Sequence, residues 1–166
     1  TYNLASVIID EQFNPMFNID LTWNNNISTK FEIKKTRNLS LGFTNNQLIE
    51  VNSQEYLLGT GFRISKVPIG IKVGGKQRKF ESDLNMRFDF SIRDAITITR
   101  RIGENQHDAT AGQTNITIKT TADYVLNERL NIRFFADFVS VDPAVDSSFN
   151  TSNTKFGISV RFTLIP

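Results

Sequence analysis

From Leu84 onward, apolar residues occupy every second position and polar or charged residues lie between them. A period of two predicts β-strands, not helices. Leu84, Met86, Phe88, Phe90 and Ile92 share one face, opposite Asn85, Arg87, Asp89, Ser91 and Arg93. A tight connection is predicted at Arg93-Asp94-Ala95, after which Ile96, Ile98 and Ile102 continue, with Arg100 marking where that strand leaves the apolar zone. Next, Ile116, Ile118, Ala122, Tyr124 and Leu126 alternate with Asn115, Thr117, Lys119, Thr121 and Asp123, and Asn127-Glu128 predicts a turn. Leu130, Ile132, Phe134, Ala136 and Phe138 face away from Asn131, Arg133 and Asp137, with Phe135 as the exception. Phe156, Ile158, Val160, Phe162 and Leu164 alternate with Lys155, Gly157, Ser159, Arg161 and Thr163 almost to the last residue.

The first half follows the same rule. Val7, Ile9 and Phe13 precede a turn predicted at Asn14-Pro15; Phe17, Ile19, Leu21 and Trp23 follow, and Asn24-Asn25-Asn26 closes the hairpin. Ile27 to Phe43 keeps one parity but is interrupted by Lys35 and Arg37, so it reads as one long strand or as two. Tyr56, Leu58, Phe62 and Ile64 form the next strand, giving about nine or ten strands in an all-β antiparallel meander. The long connections at Lys66 to Glu81, Gly103 to Gly112 and Val141 to Ser152 are expected on one side of the sheet. The short ones at Arg93 to Ala95 and Asn127-Glu128 are expected on the other.

Alternation alone leaves the wet face open. A soluble sandwich or barrel acting as a binding or adhesion module hides its apolar face, whereas a transmembrane barrel turns that face to lipid. Strands of the length a tilted bilayer crossing needs, and the unequal connections, favour the transmembrane β-barrel. On that reading Phe88, Phe90, Ile118, Tyr124, Phe134, Phe138, Phe156, Ile158, Val160 and Phe162 face lipid. Arg87, Asp89, Lys119, Asp123, Arg133, Asp137, Lys155 and Arg161 face a watery lumen, together with Lys30 and Glu32.

Composition adds that 14 of the 166 residues are Phe, which need an apolar environment. A net charge of +2 with scattered cations gives no nucleic-acid footprint, and the absence of Cys removes disulfides and thiolate metal sites. Apolar runs as short as Val7-Ile8-Ile9 leave no membrane helix. A start at Thr1 without a signal-peptide pattern is read as that of a fragment.

Several segments resemble the SprA/Sov family, the giant outer-membrane translocons of the type IX secretion system. They are Phe13 to Leu21 after Asp10-Glu11-Gln12, Lys34 to Leu41, Asn46 to Ser53, Asp83 to Asp94 and Ser159 to Leu164, in order along essentially the whole chain. The resemblance implies the carboxy-terminal section of a very large outer-membrane barrel that exports folded cargo and serves gliding motility in some members, with its C terminus in the periplasm. Implied partners are outer-membrane lipid, the remainder of the same barrel, a small outer-membrane barrel, a periplasmic plug protein and secreted cargo. No nucleic acid, cofactor or catalytic motif is implied. Leu164-Ile165-Pro166 departs from the terminal aromatic common in such barrels, a role Phe162 is placed to fill.

Enzymatic and metal readings find little support. His107, the single His, sits in a polar stretch, which argues against a lipase-like Ser/His pair. Asp142, Asp146, Ser147 and Ser148 lack the spacing of a calcium loop. Gly70, Gly74 and Gly75 among Lys72, Lys76, Arg78 and Lys79 lack a phosphate-loop spacing and read as a basic mobile loop, with lipopolysaccharide or a partner as alternatives.

Overall fold

The computed structural model describes residues 4–73, 76–104, 106–127, 130–145 and 149–163. They form a single antiparallel sheet of seven strands in sequence order, with no helix among the described residues. The strands are β1 (Ser6–Trp23), β2 (Ile27–Gly42), β3 (Gln47–Val73), β4 (Lys76–Arg101), β5 (Gln106–Asn127), β6 (Leu130–Pro143) and β7 (Thr151–Phe162). Among the described residues, each strand pairs only with its neighbours in sequence.

Seven strands replace the expected nine or ten because two predicted turns lie inside strands. At Asn14-Pro15, pairing with β2 resumes at once: Phe13 pairs with Lys35 and Phe17 with Ile33, so residues 14–16 form a bulge opposite Lys34. A proline, lacking an N–H, is tolerated at a bulge on an outer strand of the sheet. Arg93-Asp94-Ala95 runs straight through β4, paired with Glu55, Gln54 and Ser53 on one side and Asn115, Thr114 and Gln113 on the other. Its polar side chains bond to neighbouring strands: Thr114 donates to Asp94 at 2.7 Å and Arg93 Nε donates to Ser53 Oγ at 3.1 Å. Likewise Lys35 marks no turn, and Ile27–Gly42 is one strand.

Removing the turn at Arg93–Ala95 also moves the connections. The β1–β2 turn at Asn24–Asn26 and the β3–β4 and β5–β6 connections share the end where β7 finishes. Connections 43–46, 102–105 and 144–150 share the opposite end. The expected grouping of Lys66–Glu81 with Gly103–Gly112 and Val141–Ser152 is therefore wrong. Lys66–Glu81 is mostly paired strand and Gln106–Gly112 belongs to β5. The turn at Asn127-Glu128 is bounded by β5 and β6, but Glu128 lies outside the described residues, as do Gly74, Gly75, Asp146, Ser147, Ser148 and 164–166. Asn26 and Asn46 take left-handed φ values of 56° and 50°, which their short polar side chains tolerate in tight turns.

Because Ala95 lies between two paired strands, Ala95→Pro disrupts the ladder and is expected to cost about 1–3 kcal/mol. Urea unfolding of the full-length protein measures this, and a cost near zero restores the turn at this position.

Candidate functional site

Residues paired across an antiparallel ladder point to the same face, so the register assembles the alternating positions into two continuous surfaces. The first is an apolar belt. It comprises Phe17–Trp23 of β1, Ile27–Ile33 of β2, Tyr56–Ile64 of β3, Leu84–Ile92 of β4, Ile116–Tyr124 of β5, Leu130–Phe138 of β6 and Phe156–Phe162 of β7, counting every second residue. No Asp, Glu, Lys or Arg stands at any of these positions. Much of the belt is open: Phe88 is 38% exposed, Phe134 48% and Phe156 84%.

The belt is slanted against the pairing rows. On β1 to β5 its upper border lies in one row, Phe17, Ile33, Tyr56, Ile92 and Ile116; on β6 and β7 it falls two and four residues further down, at Phe138 and Phe156. The lower border moves the same way, from Trp23 and Ile27 through Ile64, Leu84 and Tyr124 to Leu130 and Phe162. Four residues over six inter-strand steps correspond to roughly 25° at ~3.3 Å per residue and ~4.8 Å per strand. Amphipathic aromatic residues stand at the margins: Gln54 Nε2 donates to the Tyr56 hydroxyl at 2.6 Å, and Trp23 Nε1 donates to Thr29 at 3.2 Å. Within the belt, Phe17 and Phe31 meet edge to face at 6.4 Å.

Directly above the upper border the same face turns polar. Glu50, 4% exposed, accepts from Arg37 Nε at 2.9 Å, Asn52 Nδ2 at 3.0 Å and an Arg100 guanidinium nitrogen at 2.8 Å. Glu11 extends the network to β1 through Arg37 at 4.0 Å. The belt on β4 ends earlier than expected, at Ile92, with Asp94 the first polar residue on that face, so Arg100 lies beyond the border and serves the network instead. Sequence reading missed Glu50 as the hub, because Glu50, Asn52 and Gln54 form a polar stretch whose partners Arg37 and Arg100 lie on other strands. The hydrogen bond from Asn52 and then those and the charge of the arginines hold the Glu50 carboxyl below its ordinary value of 4.5.

The second surface is a charged wall. One pairing row crosses all seven strands as Asp20, Lys30, Gly59, Asp89, Lys119, Asp137 and Lys155, alternating in sign except at Gly59. Gly59 makes room for its neighbour, since a Cβ there would lie 2.8 Å from Asp89 Oδ1. Adjacent rows add Arg87, which donates to Asp89 at 2.8 Å, and Arg133, which donates to Asp123 at 2.6 Å. Lys30 contacts Glu32 at 2.7 Å, and Lys34 bridges Glu32 and Glu55. Arg161 stands opposite Asn131. The Phe135 exception has a local cause: its ring lies over Gly157, where an added Cβ would come within 2.7 Å.

The register therefore brings all the apolar candidates onto one face and all the charged candidates onto the other. Tyr124 differs in being covered. It is 2% exposed and its hydroxyl donates to the Val67 carbonyl at 2.8 Å. His107 is paired within β5 opposite Arg100, and its side chain lies outside the described residues. Among the described residues no group of His, Cys, Asp or Glu is arranged to hold a metal. No helix there is long and apolar enough to cross a membrane, which leaves crossing by strands open. No protein-family model and no curated protein matches the chain.

Since the Glu50 carboxyl titrates below its ordinary value, the stability it contributes is present above pH 4.5 and is lost as pH falls below that value through the depressed folded one. Glu50→Gln is expected to flatten the pH dependence of unfolding in that acid range and to cost about 1–3 kcal/mol at neutral pH. Unfolding curves of both proteins from pH 3 to 7 measure the difference.

Proposed function

We propose that this chain is one section of the wall of a large outer-membrane β-barrel, with the slanted belt facing lipid and the charged wall lining a water-filled lumen. The slant of the charge-free belt is the observation that carries the reading. Strands in a closed barrel tilt by about 35–45° from its axis, so a membrane-parallel apolar band must cut obliquely across their pairing rows. Seven to nine residues per strand span ~20–26 Å along the strand, or ~15–20 Å along the axis at a ~40° tilt, somewhat under the ~25 Å lipid-facing band of such barrels. Aromatic margins and a polar girdle above fit the two interfaces.

By its resemblance to the SprA/Sov family, the barrel is a translocon for folded cargo and not an enzyme. It works with a small outer-membrane barrel and a periplasmic plug protein. The end with two- and three-residue connections, where β7 finishes, is periplasmic, and connections 43–46, 102–105 and 144–150 are extracellular. The hydrated, sign-alternating wall gives passing protein no apolar surface to adhere to. β7 closes the pore: its outer backbone groups need a strand, because lipid satisfies none of them.

Phe88 and Phe134 lie at mid-belt on β4 and β6. Replacing either by Arg is expected to cost about 2–4 kcal/mol, while Thr117→Arg on the wall is mild. Reversible unfolding of the reconstituted full-length barrel checks the contrast, and equal costs overturn the assignment of faces. Deleting 151–166 from the full-length protein is expected to abolish closure and cargo secretion, read as loss of heat-modifiable gel migration and of cargo in the medium. Normal secretion without β7 excludes it as the closing strand.

A further inference from the structure

The β3–β4 hairpin outgrows the sheet. β2 leaves β3 at Phe62 and β5 leaves β4 at Leu84, yet β3 and β4 go on pairing from Val67↔Ser82 to Val73↔Lys76. The result is a two-stranded ribbon with no flanking strand, seven pairs long, or ~23 Å. It begins at the lower border of the belt, where the register shifts between Ile64 and Val67 and Lys66 takes a left-handed φ of 57°. Asp83 fixes this joint by accepting from Arg63 Nε at 3.0 Å and from the Lys66 amide at 3.2 Å.

The base of the ribbon turns toward the apolar face. Tyr124 belongs to that face, and it is buried because the ribbon's base covers it, the Val67 carbonyl receiving its hydroxyl at 2.8 Å. An upright ribbon would stand well beyond a headgroup layer that is only ~7 Å deep on each side of the hydrocarbon; one turned at its base lies along it. The segment carries Lys66, Lys72, Lys76, Arg78 and Lys79 against Glu81 alone, apart from the Asp83 already held by Arg63.

We infer that this ribbon is a membrane-surface anchor that docks on the anionic phosphate headgroups of the phospholipid leaflet beside the barrel. The inference rests on the barrel reading above, which places the ribbon's joint at the periplasmic interface. Position, the turn at its base and charge point to the same occupant: cations held at a lipid surface are attracted to its phosphates, and Val67 and Ile69 suit the shallow apolar zone beneath them.

The test uses the full-length protein with a nitroxide at Ile69→Cys, in nanodiscs of phosphatidylcholine alone, of phosphatidylcholine with phosphatidylglycerol, or of phosphatidylcholine with lipid A. Phosphatidylglycerol is expected to lower the label's collisions with a water-soluble nickel chelate about threefold relative to phosphatidylcholine. That difference is lost in a variant carrying Lys72→Glu, Lys76→Glu, Arg78→Glu and Lys79→Glu, and in a milder set with Gln at the same positions, both checked for heat-modifiable folding. Equal accessibility in all discs overturns the inference, as does protection by lipid A alone or only on adding soluble periplasmic protein. Failure to enter any disc overturns the barrel reading itself, a distinct outcome.

Discussion

The unbroken pairing register through the belt is the constraint on which the rest of the sheet depends. A strand offers only two faces, and a slip of one residue exchanges them. The apolar and charged surfaces therefore exist only because seven strands stay in phase. Of the four register shifts, those at Phe13/Phe17, Ile64/Val67 and Thr97/Ile98 fall outside the belt, and the one at Val125/Asn127, opposite Leu130, touches only its lower edge. Irregularity is confined to stretches where mixing the faces costs little. Within the belt, a single slip would send Asp89 or Lys119 into the company of Phe90 and Ile118.

The two faces differ in how neighbouring side chains satisfy one another. On the charged side, partners are found along or diagonally across strands, as in Arg87–Asp89 and Arg133–Asp123, with the guanidinium groups open to water and the acids half-buried. Such partly exposed pairs contribute little stability; their physical effect is a wall that is hydrated yet nearly neutral. Glu32 is buried among them, held by Lys30 and Lys34; Glu50, buried above the belt, uses both carboxylate oxygens to tie β2, β3 and β4 together. It stands where the apolar parity ends, so the strands continue beyond the belt without presenting a bare acid on its face.

Fold class and the faces of the strands were legible in the sequence, because period-two alternation is a direct record of which side each residue takes. Phe88, Phe134, Lys119 and Asp137 all lie on the expected sides. The turns were less legible. Asn14-Pro15 and Arg93-Asp94-Ala95 have turn composition, and only the neighbouring strands reveal that the pairing carries on past them. One such misreading sufficed to reverse the end of the sheet on which the β3–β4 connection lies. The slant of the belt, the row of alternating charges and the hub role of Glu50 are properties of the register between strands, and no single strand contains them.

The strictly sequential order β1 to β7 bears on how such a wall is assembled. Each ladder joins segments that are adjacent in the chain, so each new hairpin closes only a short loop and has a low contact order. The wall can therefore grow one hairpin at a time, each exposed outer strand serving as the template for the next. In the proposed barrel, joining β7 to a strand far away in sequence is a different event, because it closes a loop nearly as long as the whole barrel. Growth is thus cheap in chain entropy at every step but the last, which in that barrel makes ring closure the slow event of assembly.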